Sequence, residues 1–229
     1  MTTTSSTKKG TWGGARIGTG RKKSQRRGCV PHRARPALSP RHPVHVVLRV
    51  KSGVGRLRRG RMYRLIRRLL GHYLGRPEFR IVHVSIQSNH IHLIVEAANK
   101  RALTRGMQSF AIRCARAIQS ETRYADKVFE ARYHATQIIT PRQARNALAY
   151  VLNNWRRHRE DLFNTTTMKA SIDPYSSGIS FKGWARAPRF EIPAGYVPLP
   201  VSTPMTRLLT SEWKRFGEIG LFECPGPMQ

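Results

Sequence analysis

Acidic residues are scarce in this 229-residue chain: 12 Asp and Glu stand against 42 Lys and Arg, a formal charge of +30 at pH 7. None occurs before Glu78, so the N-terminal third is purely cationic. Such an unbalanced charge implies a polyanionic partner, and nucleic acid is the commonest one. Cysteine is also rare. Cys29, Cys114 and Cys224 lie far apart with no CxxC spacing, which excludes a disulfide framework or a zinc ribbon and fits a reducing cytoplasm. No apolar run approaches the roughly 20 residues of a membrane span, and no signal-peptide core follows the start. The Ser- and Arg-rich start resembles a transit peptide in composition, but its Gly and Pro break an amphipathic helix. The Gly-rich GGARIGTGRKKS at 13–24 lacks the GK[ST] and the preceding strand that a phosphate-binding loop needs. No internal repeat or heptad pattern occurs.

Three regions are expected: a basic, disordered arm at 1–41, a folded domain at 42–160, and a Pro/Gly-rich extension at 161–229 with a short helix near 205–216. The arm, which carries Lys22 and Lys23, is read as tracking a phosphate backbone. Within the domain, VHVVLRV at 44–50 reads as a strand. The loop SGVGRLRRG leads to a helix near 61–74 with Leu65, Ile66, Leu69 and Leu70 in one stripe and arginines opposite. Arg56, Arg58, Arg59, Arg61, Arg64 and Arg68 are the candidate phosphate contacts here.

The most informative stretch is 79–96, FRIVHVSIQSNHIHLIVE. Val82, Val84 and Ile86 alternate with Ile81, His83 and Ser85; turn-formers Gln87, Ser88 and Asn89 follow; then a second alternating run begins at His90. There His90 and His92 share one face, while Ile91, Leu93 and Val95 share the other. Two imidazoles side by side on a strand can grip one metal ion without any loop being ordered. Alone, His-x-His is a weak signal. A second helix is expected at 102–120, with Cys114 as a packing residue, and a fourth strand at 133–139. The order β-α-β-β-α-β is the ferredoxin-like split unit, an α+β fold whose antiparallel sheet carries helices on one face and leaves the other for a ligand. The histidine pair should occupy that free face, together with His83 and Glu96.

Thr140-Pro141-Arg142-Gln143 then starts an additional helix by two signals, a capping-box spacing and Pro at the first helical position. Ala144, Leu148, Val151 and Trp155 form its buried stripe. Tyr150 and Asn154, four apart, share another face. Tyr133 is the rival tyrosine, but it opens a strand and has no amide one helical turn on. Aromatics at Tyr175, Phe181, Trp184, Phe190 and Tyr196 in the extension suggest a wrap over the core.

Taken together, SNHIHLIVEA, FEARYHATQI and LAYVLNNWRRH resemble the single-tyrosine HUH transposases, specifically the IS200-like group and the REP-associated tyrosine transposases. The resemblance spans about 42–160. It departs in one place, since relatives commonly carry Pro where Trp155 follows Asn154. It implies a transposase acting as a single-strand DNA endonuclease and ligase. Tyr150 would attack the scissile phosphorus, leaving a 5′-phosphotyrosine link and a free 3′-OH. His90, His92 and, by analogy, Asn154 would hold Mg²⁺ or Mn²⁺, with Mn²⁺ better suited to imidazole. The implied partner is single-stranded DNA with hairpins, met by a monomer or a homodimer in the bacterial cytoplasm at the nucleoid, with no membrane. Two other readings remain open: a domesticated, non-catalytic basic nucleic-acid-binding protein, and a hydrolytic metallonuclease using Glu96.

Overall fold

The computed structural model describes residues 37–161, 172–188 and 194–223; Lys22, Lys23, Cys29, Phe190, Cys224 and most of the basic arm lie outside them. The elements run β1 (Val44–Arg49), α1 (Gly60–Gly71), β2 (Phe79–Ile86), β3 (His90–Ala97), α2 (Lys100–Thr122), β4 (His134–Gln137) and α3 (Pro141–Arg157). The C-terminal segment adds a one-turn helix, α4 (Arg207–Thr210), and a three-ten turn, Glu212–Phe216. The sheet order is β2-β3-β1-β4, and β1 pairs antiparallel with both β3 and β4. That is the ferredoxin-like arrangement expected from the element order.

Two cores sit on the two sides of the sheet. On one side Val44, Val46 and Leu48 of β1 and Ile91, Leu93 and Val95 of β3 meet Leu65, Ile66 and Leu70 of α1 and Phe110, Cys114 and Ile118 of α2. Helix α1 lies here because its six apolar side chains share one face, leaving Arg61, Arg64 and Arg68 exposed. The thiol of Cys114 is fully buried, and burial pushes its pKa up to about 12, so it packs as a small apolar group. Helix α2 starts where the Asn99 side chain accepts from the Ala102 amide at 2.9 Å. It crosses Phe79 at Gly106, where a Cβ would lie 2.3 Å from the Phe79 ring, so only glycine lets helix and strand approach this closely.

The opposite side is only partly free. Helix α3 packs Ala144, Ala147, Leu148, Val151 and Leu152 against Val82, Ile94 and Ile138, and Trp184, Leu209, Trp213 and Ile219 of the C-terminal segment complete this second core. Its start is the expected capping box: Thr140 Oγ1 accepts from the Gln143 amide and Gln143 Oε1 accepts from the Thr140 amide, with Pro141 at the first turn.

Strict alternation along β2 fails at one point. The pairing runs Ile81↔Val95 and then His83↔Ile94, so Val82 is an extra residue in a β-bulge. Val82 therefore joins His83 and Ser85 toward α3, while Ile81 joins Val84 and Ile86 toward the α1/α2 side. The bulge exchanges Ile81 for Val82 on this face, and Val82 with Ile94 forms the apolar surface that α3 and the C-terminal segment cover.

Candidate active site

The register of the sheet builds the site. On β3, His90 lies opposite Arg49 and His92 opposite Val47, while His45 lies opposite Ile94, so His45, His90 and His92 all emerge on the α3 side. Helix α3 crosses over them and brings Tyr150 and Asn154 down one turn apart. The Asn154 side-chain nitrogen lies 2.6 Å from His92 Nε2. The Tyr150 ring stands edge-on to His92 at 5.3 Å and to His45 at 5.7 Å between centroids. The rings of His90 and His92 are 4.5 Å apart, and His158, one further turn along α3, lies 5.1 Å from His90.

The hydrogen-bond partners of the two β3 histidines fit one arrangement of their protons. If the Asn154 amide donates to His92 Nε2, the His92 proton sits on Nδ1, and Nδ1–H donates to His45 Nε2 at 3.0 Å. The His90 proton sits on Nδ1 likewise, donating to Asn89 Oδ1 at 2.7 Å. Both imidazoles thus turn Nε2 away from their supporting partners, the arrangement by which outer groups orient metal-binding histidines. Burial lowers the pKa of His45 and His90 to about 4 and that of His92 well below its ordinary value, with the neighbouring imidazoles adding to the effect. All three are neutral at neutral pH.

A divalent cation fits this donor set. Asn154 is 1 % exposed, and its Oδ1 is buried with no hydrogen-bond partner, a costly state for an amide oxygen. Turning the amide by half a turn would bring that oxygen to His92 Nε2. Among the described residues, no three His, Cys, Asp or Glu side chains converge as ligands. With His90 and His92, the Asn154 amide oxygen could complete a mixed nitrogen and oxygen donor set, of a kind suited to Mn²⁺ better than to Mg²⁺.

Other expectations land elsewhere. Glu96 is on the predicted face but fully engaged: it accepts from the Met205 and Thr206 amides and the Thr206 hydroxyl and pairs with Arg80 at 2.9 Å. It fastens the C-terminal segment and is no candidate ligand. Tyr133 packs against the α1/α2 core, on the opposite side of the sheet from the histidines. Arg58 is a candidate phosphate contact by sequence, yet its side chain is 4 % exposed and grips Asp173 with two hydrogen bonds of 2.8 and 2.9 Å, under Tyr175. Its charge is spent inside the fold. Arg56 pairs with Glu160 at 2.9 Å while staying largely exposed, and Arg59, Arg61, Arg64 and Arg68 are on the surface. Tyr175 and Tyr196 pack on the first core and Phe181 and Trp184 in the second, so these aromatics are packing groups. Three residues of the site had no assigned role in the sequence: His45, whose place depends on the β1–β3 register; Asn89; and His158, which continues the four-residue spacing of Tyr150 and Asn154.

No curated protein matches the chain. Among solved structures it is similar to a REP-associated tyrosine transposase bound to a REP hairpin, with a TM-score of 0.50 and 13 % identity, over 66 % of this chain and 84 % of that one, which shows a shared fold. A family model described as "Transposase IS200 like" matches residues 39–154, a span that begins just before β1, takes in His90, His92 and Tyr150, and ends on Asn154. On that match, over half of its length, the chain belongs to the IS200-like transposase family.

Proposed function

We propose that the protein cuts and rejoins single-stranded, hairpin-containing DNA by transesterification, with Tyr150 as nucleophile and His90, His92 and Asn154 as the ligands of Mg²⁺ or Mn²⁺. The observation that carries this reading is the meeting of α3 and β3: one helical turn presents a half-buried phenol and a buried amide to the same imidazole. A phosphodiester needs a nucleophile and a counter to its charge within one small volume, and Tyr150 and His92 supply that neighbourhood.

A divalent ion held by His90, His92 and Asn154 would supply positive charge to offset that of the scissile phosphate. The chain does the rest. The Tyr150 oxygen, having given its proton to solvent, bonds to phosphorus; the bond from phosphorus to the 3′-oxygen breaks, and that oxygen takes up a proton. The products are a 5′-phosphotyrosine and a free 3′-OH. Because one phosphoester replaces another, the reverse step with a different 3′-OH rejoins DNA without further energy. His45 and Asn89 hold the two imidazoles in one tautomer throughout. The exposed Arg59, Arg61, Arg64 and Arg68, with Lys22 and Lys23 of the arm, would contact backbone phosphates irrespective of sequence. The hairpin bound by the structural relative supports a hairpin substrate for this chain too.

The test is a labelled pool of single-stranded hairpin oligonucleotides from the DNA flanking the gene, incubated with Mn²⁺ or Mg²⁺ and resolved on a denaturing gel. Wild type should form a metal-dependent, SDS-resistant protein–DNA adduct that Tyr150→Phe and His90→Ala both lose. An adduct that survives Tyr150→Phe assigns the wrong tyrosine. Binding without any adduct would favour a non-catalytic DNA-binding protein, and free 5′-phosphates a hydrolytic nuclease.

A further inference from the structure

A second cleft opens on the same side of the sheet, between the edge strand β2 and the C-terminal segment. It encloses about 440 Å³. His83 and Ser202 line it, Phe181, Leu209 and Trp213 supply apolar walls, and the exposed Lys182 and Lys214 also border it. Neither lysine has an ion-pair partner among the described residues, in contrast to the committed Arg58.

The chemistry of His83 is the informative part. It is 7 % exposed. Ser177 Oγ accepts from the Val84 amide at 3.1 Å and lies 3.2 Å from His83 Nδ1. Ser177 is buried, so its own hydroxyl proton must find an acceptor, and Nδ1 is the one within reach. Burial lowers the His83 pKa to about 4, so the ring is neutral and its one proton is on Nε2. That N–H has no protein nitrogen or oxygen partner among the described residues and is open to the cavity, while the Ser202 Oγ is buried without a partner. A ring N–H open to the cavity, with an unpartnered hydroxyl beside it, is what a polar ligand would engage in place of water.

The cavity is also close to the site of chemistry. His83 lies opposite Ile94, two residues along β3 from His92, or about 7 Å of strand. We propose that this cavity holds one unpaired nucleotide of the DNA strand, with the base among Phe181, Leu209 and Trp213, its acceptor edge on His83 and Ser202, and its phosphate at Lys182 and Lys214. Apolar walls with a few placed polar groups and flanking cations are how a single base is held out of a stack. The pocket would then fix the position of the strand relative to Tyr150. This rests on single-stranded DNA being the substrate.

The test uses the full chain and the four deoxynucleoside 5′-monophosphates, with inorganic phosphate and deoxyribose 5-phosphate as controls. Binding is followed through the His83 imidazole nitrogens and the Trp213 indole N–H by NMR. At least one nucleotide should shift both signals saturably while both controls leave them unmoved. His83→Phe and Ser202→Val should each weaken that binding about tenfold, a change of about 1.4 kcal/mol. Should those variants misfold, the surface changes Lys182→Ala and Lys214→Ala should weaken it instead. Absence of any nucleotide-induced shift, or an equal shift with phosphate alone, overturns the proposal. The readout needs no strand transfer, so it is repeated in Tyr150→Phe. Shifts there with no adduct in wild type would keep the pocket and sink the transesterification reading; an adduct without shifts would sink only the pocket.

Discussion

The Asn154 side chain meets His92 at 2.6 Å, although 62 residues of sequence separate them. The contact exists because α3 lies across β3 at the height of the histidine pair, and it leaves the amide oxygen of Asn154 as a buried, unpartnered acceptor. A buried acceptor beside two neutral imidazoles is a donor set that a divalent cation could use.

The support of His92 by His45 should be measurable without turnover. In metal-free wild-type protein, imidazole NMR should find the His92 proton on Nδ1. His45→Leu should shift it toward Nε2 and weaken Mn²⁺ binding, measured by calorimetry, by about 10- to 100-fold. His45→Gln, which keeps an acceptor, should recover part of that loss. An unchanged tautomer and affinity in His45→Leu would remove His45 from the site.

The Arg58–Asp173 pair anchors the C-terminal segment to the domain. Asp173→Ala would leave the buried guanidinium with only Glu160 at 3.7 Å and the Ile86 carbonyl, and should cost about 3 kcal/mol in urea unfolding. The double replacement Arg58→Met with Asp173→Leu should restore part of it, because the penalty lies in a buried charge that has lost its closest partner. If Asp173→Ala leaves stability unchanged while Arg58→Ala weakens only DNA binding, Arg58 is a phosphate contact after all.

Close approach of α2 to β2 predicts that Gly106→Ala destabilises the protein, against the usual gain of about 1 kcal/mol for Ala over Gly in a helix. The added methyl meets the Phe79 ring, and overpacking of this kind costs about 1–3 kcal/mol. Phe79→Leu should relieve part of the strain in a double-mutant cycle. A stabilised Gly106→Ala protein would show that the ring moves aside freely.

Acid should weaken the fold partly through His83. Its folded-state pKa of about 4 lies below the ordinary 6.5, so between those values the unfolded chain takes up a proton that the folded chain refuses. The stability contributed by neutral His83 is complete above pH 6.5 and drains as pH falls toward 4, by up to about 1.4 kcal/mol per pH unit. Urea midpoints from pH 7 to 4, with EDTA present, should fall less steeply in His83→Gln than in wild type. Parallel curves would mean that His83 is protonated in the folded protein.

Local pattern settled a good deal. The alternation at 90–96, the apolar stripe of α1 and the Thr140-Pro141-Gln143 start of α3 depend on neighbours within a few residues, and each formed as the residue order dictates. The shared faces of His90 with His92 and of Tyr150 with Asn154 follow from fixed periods of two and 3.6. What needed the folded chain was everything set by register and crossing. His45 reaches His92 only because β1 pairs with β3 in one register. Val82 changes sides only because a bulge slips the β2 pairing by one residue. Arg58 reads as a phosphate contact and Glu96 as a candidate ligand until Asp173 and Thr206 arrive from more than 100 residues away to engage them. A sequence states which side chains share a face; long-range packing decides which faces meet, because that choice is made by apolar area and buried charge drawn from the whole chain at once.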